Sequence, residues 1–196
     1  MNKMEDVHKK LLDDFYLNTK TTFDKINEKN LRNTVSLIIN SKKIYVLGIG
    51  HSGMFGKILS MKLNHLGLKA YTVFDEINPP FEKNDLFIAI SRSGETKTII
   101  SLVQKAKKLG GKVFCLTSNA NSTLVNLSDK ALIIEKIAKD IELSALSAIG
   151  NKKNQNLLGA LFGFNIYVLF YTLIVMLAKE LKETPESISK RHANLQ

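Results

Sequence analysis

Apolar residues recur at helical spacing from residue 3 to about residue 40 and then collect in short continuous runs. Val7, Leu11 and Phe15 show the first pattern, which is typical of helices with one apolar face. The second pattern predicts strands whose two faces are both covered, because neither face of such a run is polar. Five runs of this kind occur, at residues 43–48, 69–74, 85–90, 112–117 and 130–135.

Helical segments separate these strands along the chain. They are predicted at about residues 52–66, 96–109 and 123–127, and glycines follow the first two. The repeated order of strand, loop and helix predicts an α/β protein with a doubly wound parallel sheet. In such a sheet, ligands bind at the carboxyl ends of the strands, at the point where the strand order reverses. Three polar loops follow strands at this edge, namely residues 48–53 (GIGHSG), 91–96 (SRSGET) and 117–122 (TSNANS).

The whole chain of 196 residues fits a single domain with a sizeable core. N-terminal helices take residues 1–41, and the α/β core takes residues 42–135. A polar connection over residues 136–156 then leads to C-terminal helices in residues 157–196.

The segment of residues 157–178, LLGALFGFNIYVLFYTLIVMLA, carries no charge. Its length is enough to cross a bilayer. The alternative is a helix that is buried inside the fold or at a subunit interface. We favour the buried helix, because the chain before it has the pattern of a compact α/β protein and Asn165 lies within the segment.

The net charge of +10 arises from 28 basic and 18 acidic residues. Such a balance fits nucleic acid, a membrane surface or small anionic substrates. The lysines are dispersed along the chain, which favours small anionic ligands over nucleic acid or a membrane. The single cysteine, Cys115, lies in an apolar run, and the N-terminus lacks the apolar core of a signal peptide, so we expect a cytoplasmic protein.

The loop of residues 48–53 joins a strand to a helix and fits two kinds of ligand. Its G-x-G-x-x-G spacing is that of a dinucleotide site, and the acidic pair Asp75 and Glu76 follows the next strand. The same loop also fits the phosphate of a small sugar. Glycines let the backbone approach an anion at the helix N-terminus, and Ser52 adds a hydroxyl.

The loop of residues 91–96 favours the sugar phosphate. It places Ser91, Ser93 and Thr96 around Gly94, between a strand and a helix. Hydroxyl and main-chain donors together can surround a phosphate dianion. A dinucleotide fold does not require this second loop, and ordinary helix capping accounts for one hydroxyl of the three.

These motifs resemble those of the sugar isomerase (SIS) domain family, and within it most closely the 6-phospho-3-hexuloisomerases. GIGHSG, DEINPP and SRSGET follow successive strands as they do in that family, and the chain ends in RHANLQ. The resemblance implies a flavodoxin-like, five-stranded parallel sheet between helices. It further implies a homo-oligomer, usually a tetramer, with sites between subunits and the apolar helix at an interface.

The resemblance also implies that Ser52 and the hydroxyls of SRSGET bind a phosphorylated sugar. The substrate-binding residues that we predict on this basis are Gly50, His51, Ser52, Lys57, Glu76, Ser91, Ser93, Gly94 and Thr96. The implied reaction moves a carbonyl between C3 and C2 of a hexulose 6-phosphate. It requires a base and an acid and no cofactor. The four histidines and the cysteine have no metal-ligand spacing.

The chain departs from the family pattern at two places, the start of the apolar helix and the loop of residues 48–53. Gly163 stands where the family has the glutamate that is its expected base, and Leu157 replaces a preceding proline. His51 stands where the family often has arginine, so a permanent cation is replaced by a group that titrates near neutral pH. The missing glutamate leaves a phosphosugar-binding module without catalysis as the alternative function.

We predict His192 and Glu95 as the catalytic residues. His192 lies in the C-terminal RHANLQ, which the resemblance brings toward a neighbouring subunit's site, although a frayed terminus is the plain alternative. Glu95 lies within SRSGET and also suits the positive end of a helix. Glu76 and Lys57 have the alternative of being ordinary solvated side chains.

Overall fold

A five-stranded parallel sheet forms the centre of the molecule, in a computed structural model that describes residues 6–134 and 155–194. The strands are β1 (Ile44–Gly48), β2 (Ala70–Thr72), β3 (Leu86–Ile90), β4 (Lys112–Thr117) and β5 (Lys130–Ile133). Their order in the sheet is β2-β1-β3-β4-β5, and every neighbouring pair is parallel. This confirms the predicted doubly wound sheet. The strand order reverses between β1 and β3.

Helices surround this sheet and bury its two faces. They are α1 (Val7–Asp24), α2 (Glu28–Ile39), α3 (His51–His65), α4 (Lys97–Lys108), α5 (Thr123–Leu127), α6 (Gln155–Glu180) and α7 (Pro185–Ser189). One core cluster joins residues of α2, α3 and α6 to one face of the sheet, and a second joins residues of α4 and α5 to the other face. β3 and the apolar part of β4 are buried, which explains their continuous apolar sequence.

The boundaries of some elements differ from the sequence prediction. β2 has three residues, shorter than the apolar run at 69–74, and β5 ends at Ile133. The residue that caps α2 is Asn27, whose side chain accepts a hydrogen bond from the backbone N–H of Lys29. The sequence suggests Asn30 as this cap, but Asn30 lies inside α2 and its side chain accepts a hydrogen bond from Lys130 Nζ. The connection predicted at residues 136–156 lies outside the described residues except for its last two, which are helical.

Helix α6 packs against α1, α2 and α3. It is the one helix among the described residues that is long and apolar enough to cross a membrane; an 18-residue window within Gly159–Glu180 has a mean hydropathy of 2.1, and half of that window is buried within the chain. Its polar residue Asn165 is buried and donates to Asn18 Oδ1 at 2.9 Å, while Thr19 donates to Asn165 Oδ1 at 2.7 Å. The buried polar group is therefore satisfied by α1.

The C-terminal segment folds back onto the end of α3. Thr184 begins α7 with a capping box that involves Ser187. Beyond α7, the guanidinium of Arg191 donates to the backbone carbonyl of His65 at 3.1 Å and to Glu183 at 2.7 Å. The ring of His192 stacks on that of His65, with 3.9 Å between ring centroids.

Candidate functional site

The three polar loops meet at the carboxyl edge of the sheet, as the sequence predicted. β1, β3 and β4 are neighbours in register, so that Gly48 pairs with Ile90 and Ile90 pairs with Leu116. The loops of residues 48–53, 91–96 and 117–122 therefore leave the sheet side by side. The first two loops lie on either side of the point where the strand order reverses, which is the usual ligand position in such a sheet.

Loop 48–53 brings the first turn of α3 close to the end of β1. A β-carbon on Gly48 would stand 2.5 Å from the backbone of Ser52, and one on Gly53 would stand 2.8 Å from the carbonyl oxygen of Gly48. Gly50 precedes the helix with a φ of 60°, which other residues rarely adopt. The glycines of this loop therefore serve the close approach of strand and helix, and no side chain caps the N-terminus of α3.

Loop 91–96 is held together by its own hydroxyl groups. The hydroxyls of Ser91 and Thr96 share a hydrogen bond of 3.1 Å, and Ser91 Oγ also accepts from the backbone N–H of Gly94 at 3.1 Å. Ser93 Oγ accepts from the backbone N–H of Glu95 at 3.2 Å. Ser91 is buried while Ser93 is exposed, so the first organises the loop and the second faces the solvent.

Loop 117–122 supports loop 91–96 from the neighbouring strand. Gly94 has a φ of 68°, and a β-carbon there would stand 2.2 Å from Ser122 Oγ. The backbone N–H of Ser118 donates to the carbonyl of Arg92 at 3.0 Å. The backbone N–H of Thr123 donates to the carboxylate of Glu95 at 2.7 Å.

Glu95 is therefore already engaged in one hydrogen bond at the start of α5. The hydrogen bond from the Thr123 backbone N–H, helped by the Thr123 side chain, holds the pKa of the Glu95 carboxyl below its ordinary value. A carboxylate in this state is a weaker base than an unperturbed one. The position lies at the loop cluster as predicted, and its contacts favour a part in holding the loops together.

Two helices begin at this edge without side-chain caps. Thr96 precedes α4 and makes no capping hydrogen bond with its side chain, and the same holds for Gly50 before α3. The first N–H groups of a helix have no partner within the helix and carry the positive end of its dipole. Together with Ser52 and Ser93, both helix ends offer donors suited to an anion.

His51 lies at the first position of α3, where its ring contacts Phe55 and Gly163. The rings of His51 and Phe55 meet edge to face with 4.9 Å between centroids. A β-carbon on Gly163 would stand 2.7 Å from Cε1 of His51 and 2.6 Å from Cε2 of Phe55. Positions 51 and 163, which both depart from the family pattern, are thus in contact.

The side chains of Lys57, Glu76 and His192 make no contact with the three loops among those that the structure gives for the described residues. Lys57 is exposed on α3, and Glu76 is exposed in the turn after β2. His192 lies at the far end of α3 from His51, about 20 Å along the helix axis at about 1.5 Å per residue. One chain therefore does not bring His192 to its own loops, and the predicted role of His192 requires a neighbouring subunit.

Sequence reasoning missed Phe55 and Ser122. Phe55 follows His51 by four residues on α3, a spacing that places two side chains on one helical face. Ser122 is the cap of α5, with Oγ accepting from the Val125 backbone N–H, and it also packs under Gly94. The spacing signals Phe55 in the sequence, whereas the contact of Ser122 with Gly94 depends on the pairing of β3 with β4.

The architecture and the phosphate-suited loops define the class of protein. The model of the SIS domain family matches residues 37–151, more than half of the chain. The chain belongs to the SIS domain family, which confirms the resemblance seen in the sequence.

Similar proteins cover most of the chain. The 3-hexulose-6-phosphate isomerase of Methanocaldococcus jannaschii is 30% identical over 86% of this chain and 85% of that protein. The 3-hexulose-6-phosphate isomerase of Bacillus subtilis is 32% identical over 81% of this chain and 83% of that protein. A crystal structure of a Methanococcus jannaschii protein, from which a 3-hexulose-6-phosphate isomerase function was inferred, has a TM-score of 0.79 at 28% identity, over 94% of this chain and 98% of that one.

Proposed function

We propose that this chain is a phosphosugar isomerase of the 3-hexulose-6-phosphate isomerase type. It interconverts 3-hexulose 6-phosphate and fructose 6-phosphate through a cis-enediol. One observation carries the proposal. The hydroxyl-rich loop 91–96 and two helix N-termini without side-chain caps lie together at one edge of the sheet. The names and coverage of the similar isomerases support it.

The phosphate group lies against loop 91–96 in this proposal. The oxygen of the exposed Ser93 accepts from the Glu95 N–H, which leaves its hydroxyl hydrogen available to an acceptor outside the loop. Thr96 and the first turn of α4 add donors at the same place. Charge-assisted hydrogen bonds of this kind are about twice as strong as neutral ones. Gly94 supplies the turn that gathers these donors.

The sugar extends from the phosphate toward loop 48–53. Gly50 permits close approach of the backbone, and Ser52 and His51 line the start of α3. Lys57 and Glu76 remain predicted contacts of the sugar or its phosphate. The sequence predicts His192 and Glu95 as the catalytic residues; His192 would come from a second subunit, and the engagement of Glu95 by Thr123 makes Glu95 the weaker candidate for the base. The chemistry itself is proton transfer between two adjacent carbons and two oxygens, which side chains alone can perform.

An oligomer that covers the outer face of α6 also belongs to the proposal. Phe164, Tyr167, Tyr171 and Val175 are 39%, 38%, 38% and 66% exposed, and we name this row the α6 stripe. On α3, Met54 and Met61 are 67% and 46% exposed. A contiguous apolar surface is typical of a subunit interface. We propose a homotetramer in the cytoplasm, in which a second chain rather than lipid covers the stripe.

A phosphosugar-binding module without catalysis is the second candidate. Gly163 offers no proton-accepting group, and the Glu95 carboxylate is engaged by Thr123. Such a module would bind the ligand with the same loops and act as a sensor or regulatory subunit for a partner protein. Binding alone therefore does not separate the two candidates, and the test has to follow the chemistry.

Proton exchange tests the proposed function directly. The protein is incubated with fructose 6-phosphate in heavy water, and each carbon-bound proton is followed by NMR. Loss of the C3 proton signal supports an enediol between C2 and C3, while loss at C1 indicates aldose–ketose isomerisation instead. Binding without exchange supports the module. Unphosphorylated fructose is the control, and we expect no exchange with it because the phosphate contacts are missing.

A further inference from the structure

We infer that His51 is the proton-transfer residue of this site and that Gly163 makes the space that its ring occupies. The inference deepens the proposed isomerase function and rests on it. It concerns how a chain without a carboxylate at position 163 performs the reaction. Its basis is the contact between the first turn of α3 and the start of α6.

The imidazole of His51 occupies the volume that a side chain at position 163 would need. A β-carbon on Gly163 would stand 2.7 Å from Cε1 of His51, closer than β-carbons approach other atoms in proteins. Phe55 closes the same space from one turn further along α3, at 2.6 Å from that β-carbon. Glycine at 163 is therefore the residue that lets both rings lie against α6.

The position of His51 suits contact with the sugar. It is the first residue of α3, directly after Gly50, and lies between the carboxyl edge of the sheet and α6. Although its ring contacts Gly163 and Phe55, the residue remains exposed to solvent. The competing base at the loops, Glu95, is engaged by Thr123 and has a lowered pKa.

A single imidazole can remove the proton from one carbon and return a proton to the other. Neutral His51 takes the proton from C2 of 3-hexulose 6-phosphate, the electron pair of that bond forms the C2–C3 double bond, and the C3 oxygen gains a proton from solvent or a neighbouring acid. The enediol then loses the proton of its C2 oxygen, and the imidazolium returns a proton to C3. Imidazole groups exchange protons near neutral pH, which suits both steps.

Other ionisable groups lie on the adjoining helices near Phe55. Tyr167 on α6 contacts Phe55, and Tyr171 and Lys62 lie next along this face. The hydrogen bond with Tyr171 raises the pKa of Tyr167 above its ordinary value. Phenol and ammonium groups in general titrate far above neutral pH. Because the predicted site also includes His192 from a neighbouring subunit, an imidazole-like pH dependence of the rate is assigned to His51 only if His51→Gln removes it.

A pair of glycine substitutions on one helix tests the contact. Gly163→Ala places a methyl group against the His51 ring, whereas Gly159→Ala meets nothing within 4 Å. Alanine favours helix over glycine at both positions, so Gly159→Ala should not melt below the wild type, whereas Gly163→Ala has to displace the His51 and Phe55 rings and should melt below it. The kinetics are therefore compared well below both melting temperatures. We expect Gly163→Ala to lower kcat for C3 proton exchange about tenfold, with KM within about twofold, and Gly159→Ala to match the wild type.

His51→Gln tests the chemistry. We expect kcat to fall by about 10²–10⁴-fold, the usual contribution of a general acid–base residue, while fructose 6-phosphate still binds. The acid limb of the wild-type pH–rate profile should disappear from the residual activity. Unchanged exchange in His51→Gln, or an equal effect of both glycine substitutions, would overturn the inference and leave the isomerase function standing. Absence of exchange in the wild type would instead refute the function, and the role of His51 with it.

Discussion

The carboxylate of Glu95 accepts a hydrogen bond of 2.7 Å from the backbone N–H of Thr123. It joins loop 91–96 to the first turn of α5, which follows the neighbouring strand β4. Because Gly94 also packs on Ser122, the two loops form one unit at the carboxyl edge of the sheet. Glu95 thus has a supporting contact that competes with its predicted use as a base.

Replacing Glu95 by glutamine and by alanine separates these two uses. Glutamine retains an oxygen that accepts the Thr123 hydrogen bond but has no basic carboxylate. We expect Glu95→Gln to keep activity within about threefold and Glu95→Ala to lose about tenfold, since a hydrogen bond to a charged group is worth about 1.5–3 kcal/mol. Steady-state kinetics with fructose 6-phosphate makes the measurement. Equal, large losses in both variants would identify Glu95 as the base.

The fold was predictable because the sequence pattern is strong where burial is complete. The buried strands β3 and β4 appear as unbroken apolar runs, and the loops that follow them carry the hydroxyls that we predict to bind phosphate. Boundaries were less predictable. The cap of α2 is Asn27 although Asn30 has the same side chain. A cap needs an extended backbone just before the helix, and Asn27 has one, whereas Asn30 lies inside the helix.

The site was predictable only in part, since contacts between distant segments leave no local signal. Residues 51 and 163 each stood out in the sequence, but their mutual contact follows from the packing of α3 on α6. The hydrogen bond of Glu95 with Thr123 likewise depends on the β3–β4 pairing. His192 stacks on His65 of its own chain, and its predicted role in the site of a neighbouring subunit stays a prediction.

Ser93→Ala should weaken phosphosugar binding without destabilising the fold. The Ser93 hydroxyl is exposed, and the loop contacts of Ser91 with Thr96 and Gly94 remain. We expect Kd for fructose 6-phosphate, measured by calorimetry, to rise about tenfold, as the loss of one charge-assisted hydrogen bond implies. Ser101→Ala, which removes an exposed hydroxyl one turn further along α4, is the control. Equal affinities in both variants would place the phosphate elsewhere.

Lys43→Met should strongly destabilise the protein. Lys43 Nζ lies 3.3 Å from Asp85 Oδ2, and their side chains are 10% and 0% exposed. Removing one partner of a buried pair leaves the other charge uncompensated, at a cost of about 3–5 kcal/mol. The adjacent Lys42, whose side chain is 65% exposed, provides the control. In urea unfolding, Lys42→Met should lower the free energy of unfolding by less than about 1 kcal/mol. Similar losses for both variants would show that burial does not set the contribution of these lysines.

Val175→Asp should dissociate the proposed oligomer. Val175 is the most exposed member of the α6 stripe, at 66%, and a carboxylate there would have to be desolvated against a second subunit. Sedimentation should show a smaller species for this variant than for the wild type. Leu109→Asp is the control, since Leu109 is 46% exposed beyond the end of α4, away from the stripe. An unchanged mass for Val175→Asp would show that the stripe is not the interface.

Acidification should loosen the C-terminal segment through the histidine pair. Burial lowers the pKa of His65, and the positive charges of His192 and Lys62 lower it further. The Nδ1 atom of His65 is also buried without a hydrogen-bond partner. A histidine with a lowered folded-state pKa takes up its proton first in the unfolded state, so stability is full above about pH 6.5 and is lost as the pH falls below it.

The loss should be measurable as a lower melting temperature and faster proteolysis after α7 at pH 5.5 than at pH 7.5. His65→Phe keeps an aromatic ring for stacking on His192 but has no proton to gain, so its pH dependence should be weaker than that of the wild type. His8→Phe, at an exposed position on α1, is the matched control and should retain the wild-type dependence. If both variants lose stability with acid as the wild type does, the dependence arises from groups other than the stacked pair.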